Sequence, residues 1–370
     1  MFRPSLRGAY ALVLLCATLI GGARGIAFAA PPAGPATLPA TRPAAAERRV
    51  LIVSIDGMRP DLLLRGETPT LHALLREGTY TMWAQTTAVA VTIPSHVSML
   101  TGARPQVHQI EWNHDLEFKD GKPVHPMVPT LFQRAKAAGF TTGMIAGKSK
   151  FDCLLVPGSL DVSYVPGDEK IKDSAVLEQA LRVLTSKAPP PQVLFVHLPE
   201  NDQVGHSKGW GTPQQMEALR GADAAVGTIL GVLRGRGLLE STLVIVSADH
   251  GGAGRGHGAD DVRSRCIPWI AVGPGVRKGL DLPSIFPDRT VRTEDTCATA
   301  CDFLGIPFDQ RLDGRPVQEI YEREGQELIA DRITGESFAP DLAKLSPGAT
   351  TRPATQPAAA AQAGPIRDTN

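Results

Sequence analysis

A small set of residues in this chain has the types and spacings to hold metal ions and attack a phosphorus centre. Asp56 lies in Ile55-Asp56-Gly57, and Thr92 opens Thr92-Ile93-Pro94-Ser95-His96. Asp202 and His206 are four residues apart, the spacing that puts two side chains on one face of a helical turn. Asp249 and His250 precede Gly251-Gly252, and His257 follows within Gly256-His257-Gly258. Taken singly, each has an ordinary reading: a turn, a helix start, a surface hydrogen bond. Taken together, Asp56, Asp202, His206, Asp249, His250 and His257 form an oxygen–nitrogen donor set without sulfur, suited to two borderline divalent cations with open positions. Two dications would be balanced by three carboxylates and an ionised Thr92. An anionic phosphoryl group would then enter a site that is near neutral yet strongly electrophilic. Coordination is what makes threonine useful, since its free hydroxyl is a feeble nucleophile at neutral pH.

Such residues need a frame that brings them together. Apolar runs of strand length occur at residues 50–55, 142–146, 193–198, 243–247 and 267–272. Most are continuously apolar, as expected of parallel strands covered by helices on both faces. Helices are predicted over residues 69–77, 129–138 and 212–236, the last opening with Thr212 as cap and Pro213 in the first turn. The alternation predicts an α/β fold: a doubly wound, mostly parallel sheet with helices on both faces. Asp56, Glu200-Asn201-Asp202 and Ala248-Asp249-His250 each follow a strand directly. Ligands in open α/β sheets bind beyond the carboxyl ends of the strands, so three strands deliver carboxylates to one rim.

The ends of the chain read differently. Residues 1–30 have the marks of a signal peptide: Arg3 and Arg7, a short apolar run, then Ala27-Phe28-Ala29 as a small-x-small cleavage pattern. Cleavage would leave no membrane span and an exported protein, periplasmic or extracellular; an uncleaved segment would serve as an anchor. Residues 31–47 form a Pro/Ala-rich linker and 346–370 a tail of like composition; Thr-Arg-Pro-Ala occurs in both, at 41–44 and 351–354. Both are too poor in apolar surface to offset the entropy of ordering. The folded domain is therefore expected over 48–345, with 38 basic and 38 acidic residues in the whole chain, a balance that argues against a nucleic-acid duplex as partner. Cys153, Cys266, Cys297 and Cys301 include no CxxC pair, so neither a thiolate metal site nor a disulfide framework is indicated.

At these motifs the chain resembles the alkaline phosphatase superfamily, in particular the type I phosphodiesterase/nucleotide pyrophosphatase branch and compact relatives that include phosphonoacetate hydrolase. The resemblance runs through Ile55-Asp56-Gly57-Met58-Arg59, Thr92-Ile93-Pro94-Ser95-His96 and Gly102-Ala103-Arg104-Pro105 with His108. It continues through Glu200-Asn201-Asp202-Gln203-Val204-Gly205-His206 and Ser247-Ala248-Asp249-His250-Gly251-Gly252. It implies one zinc held by Asp202, His206 and His257, and a second held by Asp56, Asp249 and His250 with Thr92 beside it; other divalent metals suit the same donors. It further implies in-line attack by Thr92 through a phosphothreonine intermediate, and Asn113 as donor to a non-bridging phosphoryl oxygen. Two departures stand out: Ser95 replaces the asparagine common in diesterase relatives, and no histidine follows His257, so His257 must complete the first site. Arg59, His96, Arg104 and His108 read as supports that orient ligands.

Lys148 and Lys150 follow a strand and should reach the same rim. They resemble the lysine-bearing segment that meets a carboxylate or phosphate in phosphonoacetate hydrolase and in threonine-dependent monoesterases. As point charges they suit the extra negative charge of a monoester or phosphonate. The expected substrate is thus a small phosphate ester, with monoesters and phosphonates as the alternative class, and no large cap domain is expected. A sulfatase would need Cys or Ser for conversion to formylglycine and an arginine where His96 stands, which places that class well behind. A non-catalytic binding module is disfavoured because every ligand position is filled.

Overall fold

The computed structural model describes residues 44–115, 118–119, 122–167, 171–258 and 260–321. The expected signal peptide, the linker up to residue 43 and the tail at 346–370 lie outside the described residues. So does the part of the expected domain beyond residue 321. The last linker residues are described: Ala45–Glu47 form a single 3-10 turn, and the Ala46 carbonyl accepts from Gln192 Nε2 at 2.9 Å.

Eight strands form one sheet: β1 (Arg49–Ile55), β2 (Thr79–Gln85), β3 (Thr142–Ile145), β4 (Val162–Tyr164), β5 (Val193–Leu198), β6 (Thr242–Ser247), β7 (Cys266–Val272) and β8 (Leu280–Asp281). Their order is β8-β2-β7-β6-β1-β5-β3-β4. The centre, β6-β1-β5-β3, is parallel: Ser54 of β1 registers with Ser247 of β6 and with His197 of β5. Residues of β1, β5 and β6 are almost all fully buried, which explains their unbroken apolar runs. Helices Pro69–Glu77, Asp173–Thr185, Pro213–Gly235 and Asp295–Leu304 supply apolar residues to one continuous core around this sheet. Among the described residues no helix is long and apolar enough to cross a membrane, and no separate cap domain appears.

One strand departs from the sequence expectation. β7 runs antiparallel to both β6 and β2. Its apolar run reports burial on both faces, which antiparallel neighbours satisfy as well as parallel ones. β2 carries no apolar run of strand length: only Met82-Trp83-Ala84 are consecutively apolar in Thr-Tyr-Thr-Met-Trp-Ala-Gln, and its pairing with β7 shifts register between Thr81 and Ala84.

Candidate metal centre and active site

The three carboxylate-bearing strands β6, β1 and β5 are adjacent at the centre of the sheet, so their carboxyl ends open onto one rim. Asp56 follows β1 and Asp249 follows β6. Asp202 lies in the first turn of the helix Glu200–Lys208 that follows β5, and His206 lies one turn further. A tight turn through Gly254 (φ +59°), closed by the pairing of Ala253 with Gly256, brings His257 back over the rim.

The donors converge in two groups. Asp202 Oδ1 lies 3.4 Å from His206 Nε2 and 3.8 Å from His257 Nε2. His250 Nε2 lies 3.1 Å from Asp249 Oδ2, 3.5 Å from Asp56 Oδ1 and 3.4 Å from Thr92 Oγ1. The groups adjoin, because the His250 and His257 rings stack at 3.7 Å and the Asp56, Asp202 and His250 donor atoms lie within 4.8 Å of one another. All seven residues that the sequence nominates for the metal set are thus brought together, including His257.

Three observations show that the residues suit metal binding. Each histidine has its Nδ1 at a backbone carbonyl, His206 at Arg255, His250 at Gly251 and His257 at Ala90, at 2.8 to 3.0 Å. Those bonds fix the tautomer and leave Nε2 as the donor atom facing the centre. Each carboxylate keeps one buried oxygen without a hydrogen-bond partner: Asp56 Oδ1, Asp202 Oδ1 and Asp249 Oδ2. Buried oxygens left so are costly unless something positive meets them. Finally, three buried carboxylates are met by the half-buried Lys148 ammonium, with Lys150 the other cation acting on them, which leaves negative charge in local excess.

The proton affinities of Asp56 and Asp249 move in opposite directions. Burial acts to raise the Asp56 carboxyl, but the Lys148 ammonium and a hydrogen bond from His197 outweigh it and hold it well below the usual range. Burial and the neighbouring Asp56 charge push Asp249 well up. Burial, then His257, lowers His250 to about 4, so its ring is neutral and available as a ligand at neutral pH.

Thr92 is the first residue of the helix Thr92–Thr101 and is almost wholly buried. The N-cap position is Val91, which offers no side-chain cap, and Thr92 Oγ1 is directed at His250. The approach is held from behind. Ala90 sits at φ +50°, a left-handed conformation that a non-glycine residue adopts only under constraint, and His257 donates to its carbonyl. Ser95 bonds Thr86 Oγ1 at 3.0 Å and Thr87 Oγ1 at 2.9 Å, and Thr86 donates to the Asp249 carbonyl. These bonds tie the Thr92 helix to the strand end that carries Asp249.

The remaining nominated residues occupy the same rim. Asn113 Oδ1 accepts from the Ile93 N–H at 3.0 Å and from Lys150 Nζ at 2.9 Å, which leaves its amide N–H groups as outward donors. Lys148 Nζ lies 2.6 Å from both Asp56 Oδ2 and Asp202 Oδ2. Burial acts to lower its affinity for protons, but Asp56, Asp202 and Asp249 reverse that and raise it. The supports behave as structural parts. His96 bridges the Thr92 carbonyl and Ser54 Oγ at 2.8 and 2.7 Å, His108 bonds Ser98 at 3.0 Å, and Arg59 donates to the Gly252 carbonyl at 3.1 Å.

His197 is the residue that sequence reasoning missed. Its Nδ1 accepts from the Gly147 N–H at 3.1 Å, so Nε2 carries the proton and donates to Asp56 Oδ2 at 2.9 Å. The available signal was an imidazole inside the otherwise apolar strand Val-Leu-Phe-Val-His-Leu. By fixing Asp56 Oδ2, His197 turns Oδ1 toward the centre. His197→Ala is expected to weaken zinc affinity about 10- to 100-fold, as removal of such orienting partners does. Competition with a chromophoric chelator measures it, and unchanged affinity would remove this role.

Comparison with known proteins agrees with this geometry. The profile of the type I phosphodiesterase/nucleotide pyrophosphatase family matches residues 50–255. A pyrophosphatase/phosphodiesterase of Schizosaccharomyces pombe, itself uncharacterised, is 26% identical over 216 residues, covering 55% of this chain and 44% of that protein. The bis(5'-adenosyl)-triphosphatase ENPP4 of Bos taurus is 25% identical over 253 residues, covering 65% and 52%. The chain thus spans about half the length of these curated relatives. The murine ectonucleotide pyrophosphatase/phosphodiesterase 5, solved as an inactive threonine-to-alanine variant in complex with AMP, superposes with a TM-score of 0.62 at 16% identity, covering 74% of this chain and all of that one. A bacterial glycosaminoglycan sulfatase shares the fold at a TM-score of 0.59 and 15% identity, covering 76% of each chain. With five motifs in order and a matching profile over more than half its length, this chain belongs to the type I phosphodiesterase/nucleotide pyrophosphatase family.

Proposed function

We propose that the protein is an exported two-zinc phosphohydrolase that cleaves small phosphate esters by in-line attack of Thr92. The observation that carries this reading is the position of Thr92 Oγ1. It is buried and 3.4 Å from a histidine nitrogen that two carboxylates also face. Asp202, His206 and His257 would hold one cation and Asp56, Asp249 and His250 the other. Bound there, the pair supplies a field that lowers the pKa of the threonine hydroxyl and offsets charge on the phosphoryl group.

The chain's own residues account for the rest. Thr92 Oγ1 forms a bond to phosphorus as the ester P–O bond breaks, and the leaving alcohol departs with a proton. Water then attacks the phosphothreonine, the P–Oγ1 bond breaks and Thr92 regains its proton, so that ester and water become alcohol and phosphate (or phosphate monoester). The Asn113 amide N–H groups, with Oδ1 engaged by the Ile93 N–H and Lys150, would donate to the phosphoryl oxygens.

Lys148 and Lys150 favour a second reading within the same chemistry. Their positive charges on the rim, with Lys150 beside Asn113, suit the additional negative charge of a monoester or a phosphonate better than a diester. Assays of nitrophenyl phosphate, bis-nitrophenyl phosphate and nitrophenyl sulfate, run side by side on zinc-loaded protein, decide the class. Phosphorus-ester turnover should exceed sulfate-ester turnover; dominant sulfate-ester cleavage would overturn the assignment. Export, periplasmic or extracellular, is part of the proposal on the strength of residues 1–30.

A further inference from the structure

Trp210 lies just past the helix Glu200–Lys208 and is mostly buried. Around it stand three glycines, each from a different segment that carries candidate ligands. A Cβ on Gly57, next to Asp56, would lie 3.2 Å from the indole Cζ2. A Cβ on Gly205, next to His206, would lie 2.8 Å from Cε2 and Cζ2, and one on Gly252, two residues past His250, would lie 2.3 Å from Cε2 and 2.5 Å from Cδ2. Separations under 3.0 Å are ones that real Cβ atoms essentially never show. Gly205 and Gly252 approach the same three ring atoms, which two separate backbones reach only from opposite faces. The indole is therefore sandwiched between the Asp202–His206 helix and the Asp249–Gly252 segment.

Its polar edge engages the third segment. Trp210 Nε1 donates to the Gly57 carbonyl at 2.9 Å, and the Trp210 N–H donates to the Gly254 carbonyl at 2.8 Å, in the turn that returns His257. The ring also meets His206 and His257 edge-on, at centroid separations of 5.3 and 6.1 Å. Gly205 itself is anomalous by local preference, since glycine inside a helix is unfavourable relative to alanine; room for the indole is the reason on hand.

We propose that Trp210 is the positioning residue of the metal centre: one indole, admitted by Gly57, Gly205 and Gly252, sets the spacing between the segments that carry the two groups of ligands. The proposal rests on the reading that those ligands hold metal. A rigid aromatic filling this gap fixes three backbones at once, whereas a smaller side chain leaves them free to shift by the ångström that metal geometry does not tolerate.

The test is zinc affinity of the full chain, measured by competition with a chromophoric chelator, with far-UV circular dichroism confirming that each variant is folded. Trp210→Ala should bind zinc at least about tenfold more weakly than wild type, with Trp210→Phe between them. Gly205→Ala should lose at least about tenfold in the wild-type background but under about twofold further in the Trp210→Ala background, because the clash partner is gone. Should Trp210→Ala not fold, the same cycle is run on Trp210→Phe, where the smaller ring should soften the loss from Gly205→Ala. A folded Trp210→Ala chain that binds zinc as tightly as wild type overturns the proposal, as does an equal cost of Gly205→Ala in both backgrounds. A wild-type chain that binds no zinc overturns the metal reading itself, and the proposal with it.

Discussion

Thr92→Ala is expected to lower turnover of every phosphorus ester by at least about 10⁴-fold while leaving zinc binding nearly intact. The methyl that remains keeps the helix start packed, and the six protein donors are untouched, so fold and metal content should persist. What disappears is the atom proposed to bond to phosphorus. Thr92→Ser keeps that atom and should retain measurable turnover, which separates loss of the nucleophile from disturbance of the site. Acid quenching during turnover should trap phosphate on Thr92 in the wild type and none in the alanine variant. Retention of wild-type kcat/KM in Thr92→Ala would refute the nucleophile.

Chelation carries the second large effect. Stripping divalent metal should abolish activity and lower Tm by on the order of 10 °C, because a ligand present at about a thousand times its Kd stabilises the native state by about 4 kcal/mol. The physical source is the local excess of charge: Asp56, Asp202 and Asp249 are met by the half-buried Lys148, with Lys150 the other cation acting on them, and three carboxylate oxygens have no hydrogen-bond partner. The effect should also depend on pH. Burial and Asp56 raise the Asp249 carboxyl, so a proton competes with metal there as pH falls, and apparent zinc affinity should weaken on acidification. Added zinc should restore activity and Tm together; calorimetry with and without chelator checks both, and an unchanged Tm would deny the centre its structural role.

The strands that build the rim were legible because burial on both faces writes itself into sequence as an unbroken apolar run. β1, β5 and β6 are read that way, and the charged residues just past them were conspicuous by contrast. Direction is not written in the same way, and β7 shows it: the same apolar signature belongs to an antiparallel strand. β2 and the three-residue β4 carry no run to detect. Asp202 with His206 was legible from helical spacing. The place of His257 depended on a turn and on the Ala90 carbonyl, contacts that join residues 167 positions apart and leave no local trace. His197 and Trp210 were overlooked for related reasons. A histidine in a strand and a tryptophan among glycines read as packing, and only the three-dimensional arrangement shows what they pack against. The sequence puts both lysines just past a strand, but that Lys148 bridges Asp56 and Asp202 depends on side-chain reach, which sequence does not record.

Anomalous diffraction at the zinc edge, from crystals of zinc-loaded protein, addresses the centre itself. Two peaks are predicted, one within about 2.0–2.3 Å of donors from Asp202, His206 and His257, the other equally close to Asp56, Asp249 and His250 with Thr92 alongside. A single peak, or peaks that leave Asp56 and Asp249 without metal, would contradict the dinuclear arrangement.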